Sequence, residues 1–103
     1  MLILARHLHG ASVVASDGVA GKVYELLFDD QSWEVRNLVV ETGGWWQSRD
    51  VLIEPMWIES IDWDGHRVRV SLPRERIEHS PPYDPAAPVE AEQELAASGR
   101  REG

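Results

Sequence analysis

The segment from Asp17 to Pro55 constrains the fold most, because it alternates short β-forming runs with turn signals. An Asp-Gly turn opens it, and a run rich in β-branched and aromatic residues follows over 22–28, like the run at 12–15 before the turn. Residues 33–42 form the longest strand candidate. A short candidate at 51–53 ends before the proline, which lacks the backbone N–H that a sheet requires. We therefore expect strands joined by tight turns.

The longest candidate has apolar residues at both odd and even positions. Neighbouring residues in a strand point to opposite faces. Leu38 and Val40 would therefore face one side of the sheet, and Val35 and Val39 the other. We expect this strand to be covered on both faces for part of its length.

The clearest hairpin spans residues 58–72. The Asp64-Gly65 pair at its centre predicts a two-residue type I′ turn, in which both residues need positive φ. After the turn, apolar and polar residues alternate up to Leu72, which is typical of a strand with one face in a core. Pro73 is well placed to begin one helical turn over 73–77.

Short, closely spaced strands with glycine-containing turns predict an antiparallel barrel or sandwich, and strong curvature would let few strands enclose one core. The 103 residues suffice for one domain and a tail. Composition shifts at Ser80, so we expect a domain over residues 1–80 and a Pro-rich, acidic tail over 81–103. The tail is expected to be partly disordered, with a short helix near 90–97 that is too short to be stable alone.

Charge and composition exclude several classes of function. The formal net charge of −8 argues against direct nucleic-acid binding, which needs Lys and Arg to replace counterions. The absence of cysteine excludes disulfides and thiolate metal sites. The apolar run before Arg6 is too short for a signal sequence or a membrane span, so we expect a cytoplasmic protein without a membrane span.

The sequence also offers no pattern for metal or catalytic chemistry. Asp29 and Asp30 lack the spacing of a calcium loop and are expected to form a turn. His7 and His9 would share a face if residues 4–9 were a strand, but two histidines without cysteine do not make a structural zinc site. No nucleophile elbow, phosphate-binding glycine loop or metalloprotease helix is present in the sequence. We expect no catalytic residues, no metal and no cofactor.

An ordered set of short motifs resembles the PRC-barrel family, which is named after the photosynthetic reaction centre and also supplies the C-terminal domain of RimM-type ribosome-maturation factors. The likeness covers roughly residues 4–82, and the exit segment at 80–84 looks like that of free-standing bacterial members. The motifs are Asp17-Gly18, Gly21-Lys22-Val23, Leu27-Phe28-Asp29-Asp30, Trp33 to Val40, Thr42-Gly43-Gly44-Trp45 and Val51-Leu52-Ile53.

The resemblance implies a small, strongly bent antiparallel β-barrel of about six strands that acts as a binding or assembly module, with no shared active site. The sequence departs from the family pattern at Asn37, where an aromatic residue is usual, and at Trp46, where an aliphatic residue is common. The second change would enlarge an aromatic surface.

Five tryptophans are the one compositional excess. Trp33 and Trp63 lie at the ends of strand candidates and are expected to pack in the core or at its rim. At least one indole of the Trp45-Trp46 pair should lie outside the core if that segment is extended, and exposed indoles often mark interfaces. The expected interaction residues are Trp45, Trp46, Arg49, Asp50 and Trp57.

These patterns favour a non-enzymatic protein–protein interaction module that self-associates as a homodimer, with an unidentified protein partner. Two alternatives remain open. One is a small-ligand or carbohydrate binder that uses exposed tryptophans, which would need a concave site rather than a flat apolar patch. The other is a ribosome or RNA-processing accessory module that acts through a basic protein partner.

Overall fold

The computed structural model describes residues 1–44 and 47–84, with the backbone alone at residues 44 and 47. This part of the chain contains seven strands, one helix and two 3₁₀ turns. The strands are β1 (Leu2–Leu4), β2 (Ser12–Ala15), β3 (Gly18–Asp29), β4 (Val35–Gly44), β5 (Gln47–Ile53), β6 (Ile58–Asp62) and β7 (Arg67–Val70); the 3₁₀ turns are Arg6–Leu8 and Pro55–Trp57, and helix α1 is Arg74–Glu78.

The strands form one sheet in the order β5-β4-β3-β2-β7-β6, with β1 paired to β3. The all-β, barrel-like class is confirmed, with three differences in detail. The sheet has seven strands rather than about six, its β5 and β6 edges do not pair with each other among the described residues, and β2 pairs with β7 in parallel. Strand β1 was missed because its three residues carry no turn signal.

Strand β3 is the central strand of the sheet, because β4 pairs along one side of it and β2 and β1 share the other side. The segment between β1 and β2 follows the same side. Its Ala5 N–H donates to the Leu26 carbonyl at 2.8 Å, and its Gly10 N–H donates to the Val23 carbonyl at 2.8 Å. Residues 6–8 are a 3₁₀ turn, so the strand face that His7 and His9 would have shared does not form.

The core is formed by side chains of β2, β3, β4, β5, β7 and α1 and includes Leu38 and Val40. Val39, between them, is also fully buried, although it points to the opposite face of β4. The prediction that this strand is covered on both faces is therefore confirmed. The largest fully buried side chains are Leu8, Leu26, Leu38, Ile53, Ile77, Val13, Val23, Val39, Val40, Val51, Val68 and Val70.

The prediction of a two-residue turn at Asp64-Gly65 is wrong. Asp62 pairs with Arg67, so the hairpin loop has four residues, and positive φ occurs at His66 (60°) rather than at the Asp-Gly pair. The physical reason is local: the Asp62 carboxylate accepts a hydrogen bond from the Gly65 N–H at 2.8 Å. This bond stabilises a longer loop of the kind usually built around a type I turn.

The predicted helical turn is present as α1, with Pro73 one position earlier than expected, at the N-cap. The β2–β3 turn holds Arg74, the first residue of α1. The Asp17 carboxylate in this turn accepts a hydrogen bond from the Arg74 backbone N–H at 2.9 Å and lies 3.5 Å from the Arg74 guanidinium. Ile77 anchors the helix in the core. The Asp17-Gly18 turn, which the sequence predicts as a hairpin turn, therefore also positions α1.

The chain leaves the domain along the outer edge of β5. The Leu52 N–H donates to the Pro81 carbonyl at 2.8 Å, and the Tyr83 N–H donates to the Asp50 carbonyl at 2.9 Å, around an antiparallel bridge between Val51 and Pro82. Residues 81–83 therefore extend the pairing of the sheet. The helix expected near 90–97 lies outside the described residues.

Candidate functional site

The β4–β5 hairpin carries four of the five expected interaction residues. The two strands pair in unbroken register from Leu38–Ile53 to Gly44–Gln47. Trp45 and Trp46 connect the last pair and lie outside the described residues. Thr42 is buried and donates its hydroxyl to the Ala20 carbonyl at 3.1 Å, which fixes the hairpin to β3.

Arg49 and Asp50 lie on β5 and connect the hairpin to two other elements. Arg49 is exposed, and its guanidinium donates to the backbone carbonyl of Glu78 at the end of α1. Asp50 is half-buried, and its carbonyl accepts the hydrogen bond from Tyr83. Their backbones and side chains therefore help to hold the helix and the exit segment against β5.

Trp57 lies apart from the hairpin turn, in the second 3₁₀ turn. Its indole is half-buried and packs against the core. It also lines a cleft of about 370 Å³ between β5, this turn and α1. The lining residues are Leu52, Ile53, Glu54, Trp57, Leu72, Arg76, His79, Ser80 and Pro81. Arg49 contacts the end of α1, and Trp57 lines the cleft beside that helix, but no hydrogen bond joins Arg49 to Trp57 among the described residues.

A second cleft, of about 410 Å³, lies beside β3 and is lined by Leu4, Ala5, Arg6, His9, Tyr24 and Glu25. The Tyr83 ring from the exit segment lies 6.5 Å from the Tyr24 ring. Burial raises the pKa of the Tyr83 hydroxyl above its ordinary value of 10.0, and the nearby Glu25 carboxylate raises it further. The Tyr83 side chain is therefore partly desolvated.

The structure also shows an aromatic patch, formed by Phe28, Trp33 and Trp63, that was not among the expected interaction residues. The Trp33 indole stacks on the half-buried Phe28 ring with centroids 5.6 Å apart and an interplanar angle of 12°. Trp63 meets the same ring edge-on at 6.4 Å. Trp33 remains 72% exposed and Trp63 44% exposed, so both pack at the rim rather than in the core.

The β3–β4 loop that carries Trp33 is held by its own polar groups. The Trp33 N–H donates to the Asp29 carbonyl at 2.7 Å, and the Gln31 N–H donates to the Asp29 carboxylate at 2.8 Å. The second bond is the main cause of a lowered pKa at the Asp29 carboxyl, with further lowering from the Met1 amino group and Arg36. The carboxylate therefore remains ionised and keeps the loop closed.

The loop that carries Trp63 is fixed in the same manner. The hydrogen bond from the Gly65 N–H is the main cause of a lowered pKa at the Asp62 carboxyl. The Arg67 guanidinium, 3.1 Å from that carboxylate, lowers this pKa further. One signal in the sequence marks both tryptophans. Acidic residues flank each of them, in Asp-Asp-Gln-Ser-Trp-Glu at 29–34 and Asp-Trp-Asp at 62–64.

Within residues 1–44 and 47–84, no three His, Asp or Glu side chains come together in an arrangement that could hold a metal ion. No helix in that part of the chain is long and apolar enough to cross a membrane. The absence of a metal, a cofactor and catalysis stays a prediction.

An all-β fold of this size, with one central strand that organises the sheet, defines a small barrel-like domain module. The family model for the PRC-barrel domain matches residues 2–77. The chain therefore belongs to the PRC-barrel family, as the motifs in its sequence predicted. Comparison with curated proteins finds no match.

Proposed function

We propose that this PRC-barrel protein is a non-enzymatic protein-interaction module of the cytoplasm that self-associates through the β4–β5 hairpin. The observation that supports the proposal is the regular pairing of β4 with β5 up to Gly44–Gln47. A ribbon without a bulge, fixed to β3 by Thr42, is a rigid support for the two tryptophans that connect its strands.

Association of two hairpins would remove indole surface from water. Burial of apolar surface contributes about 25 cal/mol per Å², and a twofold axis lets the same patch serve both partners. In such a dimer Trp46 would approach its symmetry mate, with Arg49 and Asp50 at the rim. Arg49 is suited to a rim position, because it is exposed and already held by the Glu78 carbonyl.

Sedimentation equilibrium of the full chain and of Trp46→Ala tests this proposal. We expect the wild type to dimerise at micromolar concentration and Trp46→Ala to weaken the dimer by at least tenfold, as loss of a central aromatic residue commonly does. Trp33→Gly, at the other end of β4, is the matched control and should leave the dimer intact. A monomeric wild type, or a dimer that Trp46→Ala leaves unchanged, would contradict the proposal.

The cleft beside Trp57 favours small-ligand binding as a second candidate. Its volume of about 370 Å³ falls within the usual range for such sites, and Glu54, Arg76 and His79 line it beside the indole. A perturbation of the Trp57 indole N–H resonance by neutral oligosaccharides, abolished in Arg76→Gln, would support this candidate. The accessory role beside the ribosome stays a prediction that rests on the family likeness.

A further inference from the structure

We propose that the aromatic patch is a second interaction surface, distinct from the hairpin, and that it binds an arginine-bearing segment of a protein partner. The patch lies at the start of β4, where Phe28 pairs with Val35, whereas the hairpin turn lies at the other end of that strand. The inference does not depend on self-association.

Trp33 is the first reason to assign binding to this patch. Its backbone has a φ of 63°, a left-handed conformation that bulky side chains rarely adopt and that glycine or asparagine would accept more readily. One face of its indole rests on Phe28, and most of the side chain is exposed. A residue that is unfavourable for the backbone and contributes little burial is better explained by a contact with a partner.

The loops around the patch give the second reason, because each of them places one indole against the Phe28 ring. Trp63 comes from the β6–β7 loop, which also contains His66, the other non-glycine residue with positive φ in the described part of the chain. Both loops are closed by carboxylates that accept backbone hydrogen bonds, at Asp29 and Asp62. The patch is therefore built on constrained loops over a half-buried phenylalanine, and little order would need to be gained on binding.

Charge identifies the kind of partner. Five carboxylates belong to the two loops or their strand ends, against three guanidiniums and the Met1 amino group, so acidic groups remain in excess. The carboxylates are Asp29, Asp30, Glu34, Asp62 and Asp64, and the guanidiniums are Arg36, Arg67 and Arg69. A second copy of the chain would bring the same excess of negative charge against it, and nucleic acid would be repelled. A cationic segment is attracted instead.

The chemistry of the patch favours arginine over lysine. A guanidinium is planar and stacks on an indole face through cation–π attraction, while its N–H groups still reach carboxylates at the side. The outer face of Trp33 is exposed, and Glu34 and Asp64 are exposed residues next to Trp33 and Trp63 in the chain. Glu34 also lies 3.6 Å from the Arg36 guanidinium. One arginine could therefore contact an indole and a carboxylate together.

Titration of the full chain with octa-arginine and with octa-lysine, followed by calorimetry and by the indole N–H resonances, tests this assignment. We expect octa-arginine to bind more tightly than octa-lysine and to shift the Trp33 and Trp63 resonances first. Trp33→Gly should weaken octa-arginine binding by about three- to tenfold. Glycine accepts the positive φ, so this variant should fold, and Trp33→Asn provides a second version.

The double variant Glu34→Gln/Asp64→Asn should weaken binding similarly, because it removes two carboxylates and leaves the rings in place. Glu75→Gln is the control for loss of a carboxylate away from the patch. It removes one exposed carboxylate from α1, which packs beside Gly18 at the opposite end of β3. The assignment is wrong if octa-arginine does not bind, or if Glu75→Gln weakens binding as much as Trp33→Gly. It is also wrong if Trp33→Gly dissociates a dimer that Trp46→Ala leaves intact.

Discussion

Gly21 lies on β3, opposite Val13 of β2 on one side and beside Glu41 of β4 on the other. A Cβ atom added there would overlap the backbone carbonyl oxygen of Glu41 and crowd a methyl group of Val40. Neither the carbonyl nor the strand that carries it can move without disturbing the pairing. The absence of a side chain at this residue therefore sets the spacing of the central strands.

We expect Gly21→Ala to lower the free energy of unfolding by about 2 kcal/mol or more, as overpacking in a fixed environment does. Urea denaturation followed by circular dichroism measures this change. Gly65→Ala is the comparison, because its Cβ would meet the exposed Asp62 carboxylate, which can move at the cost of its hydrogen bond from the Gly65 N–H and its ion pair with Arg67. Its loss should be smaller, and equal losses would show that the β3–β4 contact can relax.

Single residues also show what sequence patterns can and cannot reveal. The dual burial of β4 was predictable, because it follows from the order of Leu38, Val39 and Val40 alone. The aromatic patch was not, because Trp63 lies far along the chain from Phe28 and Trp33 and reaches the Phe28 ring only in the folded sheet. Their acidic neighbours were visible, but nothing in the sequence brought the two loops together.

At the scale of elements, the segment after α1 acts as a short additional strand on β5. Its two backbone hydrogen bonds to β5 and the contact between the Tyr83 and Tyr24 rings lie beyond residue 80, the domain boundary that composition predicts. An exposed sheet edge favours unwanted pairing, and residues 81–83 cover part of this edge. The domain boundary at residue 80 stays a prediction. A truncation after Asp84 would keep the contacts of residues 81–83 with β5 and Tyr24.

We expect a chain that ends at Asp84 to keep the thermal midpoint of the full chain within about 3 °C. A chain that ends at Ser80 should melt about 5 °C lower, because it loses two backbone hydrogen bonds and the partly buried Tyr83 ring. Differential scanning calorimetry of the three lengths measures both steps. Equal midpoints for the two shortened chains would mean that residues 81–84 add no stability.

Elements with strong local signals were predictable, and elements defined by distant partners were not. Strand β2 has the predicted bounds, and α1 lies within one residue of its expected position. Strand β1 has no turn signal and exists because β3 offers it an edge. The parallel pairing of β2 with β7 joins residues that no local pattern connects.

At the scale of the whole molecule, the net charge of −8 decides which partners can approach. Phosphate backbones are repelled, because the chain has few cationic groups to replace their counterions. We expect no detectable binding of generic single-stranded RNA at physiological salt in a fluorescence anisotropy titration. Submillimolar binding to unrelated RNAs that weakens with added salt would contradict this expectation.

The parallel contact between β2 and β7 has a consequence for how the chain reaches its native state. Ser12 pairs with Arg67, so this contact closes a loop of about 55 residues, whereas β3, β4 and β5 are joined by short connections. Closing long loops is slow in comparison with forming hairpins. The β3–β4–β5 meander should therefore assemble first, with docking of the β6–β7 hairpin onto β2 as the late step that sets the folding rate.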